Sequence, residues 1–187
     1  MAIGTQYSVA LQLSKEDCEK GQLGSNITAD FKTVRDTLAD EKVYSTGNVV
    51  AAIPLFVYKD NIQKGRDHSE YRVLLKLRTQ QIKPGCLIVY TYFSPCFSKC
   101  LDESRVNDNI IDLLSNLKNQ NQNTDIALVF SSLFPFDKKN NTKEQIYNNL
   151  KKIPVPLYCC YEGSNGFTCA IFDKNKGKNQ KCLSQKH

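Results

Sequence analysis

The sequence predicts an α/β protein, a mixed sheet faced by helices. Three observations point there. Two near-continuous runs of apolar and β-branched residues, "CLIVYTYF" (86–93) and "DIALVFSS" (125–132), have the composition of strands covered on both faces. Stretches with apolar residues three and four apart lie around and between them, the period of helices with one buried stripe. The chain has 187 residues and a hydrophobic content of 41%, enough to bury a core of its own, and neither a repeat nor a shift in composition divides it. One domain is expected over 1–187, with its core at about 7–172 and a basic, polar tail over 173–187.

The elements follow in order. "YSVALQL" alternates and reads as a first strand. "TADFKTVRDTLAD" sets Phe31, Val34 and Leu38 on one helical stripe. "VVAAIPLFVY" is strand-like but broken at Pro54, which cannot donate to a ladder. "DHSEYRVLLKLRTQQ" reads as a helix through Val73, Leu74 and Leu77, and it stops before the breaker "KPG". The first buried strand comes next, then "SPCFSKCLDESRVNDNIIDLLSNLKNQ", which opens as a helical stretch interrupted near 102–107. After the second buried strand come an aromatic loop, "LFPFDKKNN", and a short helix, "TKEQIYNNLKK", with Thr142 as its cap. "VPLYCCYE" and "FTCAIF" flank "GSNG" and read as a hairpin.

Composition narrows the compartment. The formal charge of +6 permits a nucleic-acid partner without demanding one. No apolar run is long enough to span a bilayer, so no membrane partner is expected. No positive-then-apolar leader opens the chain, as expected of a secreted protein whose signal peptide has been removed. Two glycosylation sequons begin at Asn26 and Asn140. Of eight cysteines, six are candidates for three disulfides once Cys96 and Cys100 are set aside: Cys18, Cys86, Cys159, Cys160, Cys169 and Cys182. Adjacent Cys159 and Cys160 point to opposite faces of a strand and so take different partners. A four-residue turn would put Cys160 opposite Cys169. Cys18 and Cys182 could then tie down the two ends, with Cys86 either a further partner or a buried thiol.

The chemistry sits in "HSE" and "PCFSKC". Ser94-Pro95 is a helix entry, with Ser94 as cap and Pro95 in the first position. Cys96 then lies in the first turn, where the dipole favours its thiolate, and Cys100 projects from the same face one turn on. His68 is the natural third ligand, because the only other histidine is His187 at the terminus. Three protein ligands for zinc leave a fourth position open, as catalytic sites do. Glu70, two residues beyond His68, reaches the same place if both stand at a helix start, and can shuttle protons there. Read singly, Asp67-x-x-Glu70 is also a capping box, and the two cysteines are also disulfide candidates. Read together, these residues in this order form a metal site.

His-x-Glu followed by Pro-Cys…Cys resembles the zinc deaminase signature. The order of helix, strand and helix through His68, 86–93 and Cys96 looks like the cytidine-deaminase-like fold. That resemblance implies a three-layer α/β/α sandwich with a mixed, mostly five-stranded sheet. "YFSPCFSKC" is similar to the S-W-S-P-C-x-x-C segment of the AID/APOBEC branch, with Phe93 in place of tryptophan and one more residue between the cysteines. "SSLFPFD" is similar to that branch's A-R-L-Y-x-F segment, without its arginine. With the disulfides and sequons, the chain resembles the secreted AID/APOBEC-like deaminases of bony fish, over roughly 45–172.

The resemblance implies hydrolysis of cytosine to uracil, with zinc on His68, Cys96 and Cys100 and Glu70 as the catalytic proton relay. It implies that Phe134 stacks on the target base, that Phe136 stands near the flanking nucleotide, and that Asn48 orients the sugar. Phe93 and Ser94 are expected to line the same pocket. Lys138, Lys139 and Lys143, with five more lysines over 174–186, suit either a polynucleotide or plain solvent. Single-stranded DNA or RNA is the expected substrate, in a role in immunity. Free cytosine nucleosides, or a catalytically silent nucleic-acid-binding protein on this fold, are the alternatives.

Overall fold

The computed structural model describes residues 6–21, 27–59, 62–105, 107–163, 166–177 and 180–183. Strand β1 (Ser8–Leu13) is followed by a short helix α1 (Lys15–Lys20), capped by Ser14, and by α2 (Phe31–Ala39), capped by Asp30. Next come β2 (Tyr44–Thr46) and β3 (Val49–Ala52), then a separate hairpin of β4 (Leu55–Lys59) and β5 (Ile62–Asp67). Helix α3 (Ser69–Leu77), strand β6 (Gly85–Phe93), helix α4 (Ile111–Gln120) and strand β7 (Thr124–Ser132) form the centre. The chain closes with α5 (Pro135–Asn140), α6 (Lys143–Leu150), β8 (Leu157–Gly163), β9 (Gly166–Ile171) and a 3-10 turn at Lys181–Leu183.

The main sheet runs β2-β3-β1-β6-β7-β8-β9. It is mixed: β6, β7 and β8 are mutually parallel and the other pairs antiparallel. Seven strands replace the expected five because β2 and β9 extend the two edges as hairpin partners of β3 and β8. Pro54 separates β3 from β4, as its missing donor requires.

Burial along β6 alternates, and this positions the core. Leu87 and Val89 are fully buried with Ile126, Leu128 and Phe130 of β7, under Val73, Leu74 and Leu77 of α3, Leu114 and Leu117 of α4, and Ile146 and Leu150 of α6. The opposite face is packed less deeply. Leu38 of α2 covers Tyr44, Val49 and Ala51 there, while Cys86, Ile88 and Tyr90 stay partly exposed. The apolar run of β6 is thus covered fully on one side only. Phe31, expected on the buried stripe of α2, is 78% exposed, because that helix packs through Leu38 and Val34.

Two loop expectations change. "LFPFDKKNN" holds the helix α5, with Pro135 in its first turn and Asn140 exposed at its end. Thr142 caps α6 in a full capping box with Gln145. The basic tail is not loose throughout, since Cys182 and Leu183 are buried in the main core.

Three disulfides join Cys18 to Cys86, Cys159 to Cys182 and Cys160 to Cys169. Cys160 lies directly opposite Cys169 in the β8–β9 ladder, the cross-strand pair expected. The pairing of Cys18 with Cys182 is overturned. Helix α1 lies at the start of β6, so Cys18 meets Cys86, and Cys86 is no free thiol. Cys159, on the core face of β8, instead takes Cys182. The Cys18–Cys86 bond closes 68 residues of chain. Replacing both by serine is expected to cost about 2–4 kcal/mol by freeing the unfolded chain. Comparing chemical denaturation of the variant and the wild type checks this.

Candidate active site

The site forms where β6 and β7 end, at the carboxyl edge of the parallel strands, where open α/β sheets bind ligands. Strand β1 runs antiparallel to β6, so its first residues arrive at this same edge. His68 is the N-cap residue of α3, extended at φ −75° and ψ 151°, and its ring makes no capping bond. The ring is therefore left to face the cysteines. Glu70, in the first turn of α3, is 1% exposed.

The cysteines do not sit on a helix. Residues 97–101 form a turn, and the following helix begins only at Ile111. The N–H of Leu101 reaches back to the Cys96 carbonyl (3.0 Å), a loop wider than one helical turn, and the N–H of Ile110 bonds the Cys100 carbonyl (2.9 Å). The extra residue of C-x-x-x-C is absorbed in that wider turn. Ser94 does not cap a helix either. Its Oγ accepts the N–H of Phe134 (2.9 Å), and its own N–H donates to the Ser132 carbonyl (2.7 Å), tying the end of β6 to the entry of α5.

His68 Nδ1 lies 3.4 Å from Cys96 Sγ and 3.3 Å from Cys100 Sγ, and the two sulfurs are 3.6 Å apart. Tetrahedral zinc with ordinary bond lengths sets such atoms about 3.6–3.8 Å apart. The donor set, one imidazole and two buried thiols outside every disulfide, fits a zinc ion. These three residues could hold one metal. Within the triangle, the thiol of Cys100 and the ring of His68 stabilise the Cys96 thiolate and hold its pKa well below the usual thiol range. Burial pushes the Glu70 carboxyl up.

A cavity of about 160 Å³ opens onto this cluster, lined by His68, Glu70 and Cys96 together with Phe93, Ser94 and Phe134. It is smaller than the roughly 300–1,000 Å³ typical of drug-sized ligand sites, a size that suits a single planar base. Phe93 and Phe134 meet edge to face, with centroids 6.1 Å apart. Phe136 lies outside the cavity and is 62% exposed.

The expected role of Asn48 is corrected. Asn48 lies in the β2–β3 turn and bonds the backbone of Gln12 and the side chain of Thr28. Gln12 is at the far end of β1 from Gln6, about 20 Å away along an extended strand. Asn48 joins β2 to β3 at that end and does not line the cavity. Asn26 lies outside the described residues.

A family profile described as Secreted Novel AID/APOBEC-like Deaminase 1 matches residues 1–186. The chain belongs to this family. Searches of the curated proteins and of the solved structures returned no match. Family membership makes the protein an AID/APOBEC-like deaminase, and the mixed sheet with its helices agrees with a cytidine-deaminase-like fold. The family is secreted, which accords with three disulfides.

Three residues that line the cavity escape the sequence reading: Gln6, Pro54 and Arg66. For Gln6 a signal existed, because Gln6 and Ser8, two residues apart, put polar groups in line with what becomes the inward face of β1. For Arg66 there was none, since the β4–β5 hairpin brings it to the mouth.

Asp137 supports the cysteine turn from α5, accepting the N–H of Phe97 (3.0 Å). Burial raises its pKa to about 6. A carboxyl held above its unfolded value keeps its proton longer in the folded chain, so its contribution is full below about pH 4 and is lost as pH rises through about 6. Asp137→Asn keeps an acceptor for Phe97 and removes the buried charge. Melting temperatures across pH 4–7 are expected to lose that decline, and at pH 7 the variant is expected to be at least as stable as the wild type.

Proposed function

We propose that this deaminase is zinc-dependent and converts cytosine to uracil in single-stranded polynucleotides, as one domain. The observation that carries the reading is one cavity lined by His68 and Cys96 of the His68–Cys96–Cys100 triangle, the buried Glu70 carboxyl and two aromatic side chains.

His68, Cys96 and Cys100 would hold the zinc, which when bound supplies the Lewis acidity that makes water a nucleophile near neutral pH. The chain's own residues do the rest. Glu70 takes a proton as water adds to C4 of the base and passes it to N3; it then takes the proton of the new C4 hydroxyl and gives it to the amino group, which leaves as the C4–N bond breaks and the C4 carbonyl forms. Water is consumed, ammonia leaves and uracil remains. Raising the carboxyl's pKa by burial suits a group that must both accept and release that proton. Phe93 and Phe134 together give the flat ring an aromatic wall to pack against, and Ser94 fixes the backbone of Phe134.

Several features favour a polymer over a free nucleoside. Arg66 is exposed at the mouth, stacked on Phe56 at 4.8 Å, where a phosphate would pass. Phe136 is exposed just beyond the pocket, and the net charge is +6. Secretion suits action on foreign or released nucleic acid, in an immune role. The test is a side-by-side assay of zinc-loaded protein on single-stranded DNA, single-stranded RNA, cytidine and adenosine. Turnover of cytosine in either polymer supports the reading. Turnover of nucleosides alone removes the polymer, and inertness toward all four removes the reaction.

A further inference from the structure

The polar contacts of Gln6 are not those of a surface residue. Its side chain enters the cavity from the segment just before β1 and spends its hydrogen-bonding capacity on the site. Oε1 accepts the N–H of Phe93 (3.0 Å). Nε2 donates to Glu70 Oε1 (3.0 Å) and to Thr91 Oγ1 (3.1 Å), with Ser69 Oγ further off at 3.4 Å. The orientation of the amide is determined by its neighbours. Turned over, it would set oxygen against the Glu70 carboxyl and nitrogen against the Phe93 N–H. Thr91 Oγ1 in turn donates to the Phe93 carbonyl (3.0 Å), which leaves its oxygen ready to accept from Gln6.

The other oxygen of Glu70 is held as well. Ser69 Oγ donates to Oε2 (3.1 Å) and lies 2.8 Å from Ser8 Oγ. Ser8, Ser69 and Glu70 are all almost fully buried, so solvent does not supply these bonds. Both bonds reach Glu70 from neutral groups, one from Gln6, two residues before β1, and one from the neighbouring residue on α3.

From this geometry we infer that Gln6 is a positioning residue for Glu70: the segment leading into β1 holds the proton-transferring carboxyl in the orientation that faces the substrate. The inference rests on the reading of Glu70 as proton relay. A carboxyl at a helix's first turn has two free side-chain torsions before its last, and a displacement of about 1 Å at a reacting group can cost about 10²-fold in rate. Gln6 removes that freedom without placing a charge beside the carboxyl. All its donors and acceptors face protein groups, so it acts through Glu70 and the end of β6, and does not itself read the base.

The test is steady-state kinetics of zinc-loaded Gln6→Met, which keeps the length and loses the hydrogen bonds, on whichever cytosine substrate the wild type turns over. Gln6→Asn, one methylene shorter, serves as the milder second variant should the first fold poorly. Zinc content and melting temperature are measured on each. The expected result is a kcat about 10–100-fold lower, with KM within about twofold and zinc unchanged. A change in KM alone, or no change, overturns the proposal, as does a loss of kcat that merely tracks lost zinc or lost folding. A wild type inert toward cytosine would overturn the reading beneath it, and the proposal with it. Active wild type with an indifferent Gln6→Met overturns the proposal alone.

Discussion

Replacing Glu70 by glutamine is expected to lower kcat by about 10²–10⁴-fold while the protein keeps its zinc and its fold. The substitution preserves shape and removes the group that carries the proton. Glu70 is not part of the His68–Cys96–Cys100 triangle, so metal content is expected to stay that of the wild type. Stability is expected to change little, for two opposed reasons. Burial disfavours the charge of Glu70, and its removal relieves that cost. Against this, Gln6 and Ser69 each donate to a different Glu70 oxygen, and an amide offers only one oxygen to accept. Deamination kinetics, elemental analysis and a melting curve on one preparation decide it. Undiminished turnover in E70Q would remove Glu70 from the mechanism.

Cys100→Ser is expected to abolish metal binding and to lower the melting temperature by several degrees. Cys100 is fully buried, and a serine hydroxyl does not ionise near neutral pH to replace the thiolate. The effect on folding follows from where Cys100 sits. Its carbonyl receives the N–H of Ile110, and the turn over 97–101 has no helix of its own to hold it. A metal joining that turn to His68 at the start of α3 would brace the whole segment between β6 and α4. Wild type is expected to carry about one zinc per chain, and the variant almost none. Chelation of the wild type should reproduce the variant's melting curve. Full zinc content in the variant would show that Cys100 is not a ligand.

The site was legible in the sequence as residue types more than as geometry. His-x-Glu and a nearby pair of cysteines name a metal site because few other arrangements need them, and the structure brings those residues within bonding reach of one ion. The helix expected under Cys96 did not form. Helical spacing is a local rule, while the actual turn is set by distant partners, Ile110 for Cys100 and Asp137 for Phe97. Asn48 failed for the same reason. A Thr-Gly-Asn turn looks alike at either end of a sheet, and only the register of β3 against β1 decides which end it occupies.

By itself the sequence determined the fold class, the oxidised and secreted character and the histidine and cysteines that could hold a metal. Each depends on composition, periodicity or short spacing, which are written locally. Only the tertiary structure decided that Cys18 pairs with Cys86, that the sheet carries two further edge strands, and that Gln6 meets Glu70 across 64 positions. Those contacts depend on strand order and register. They are fixed by how the whole core packs, because shifting a strand by one residue turns every side chain to the other face.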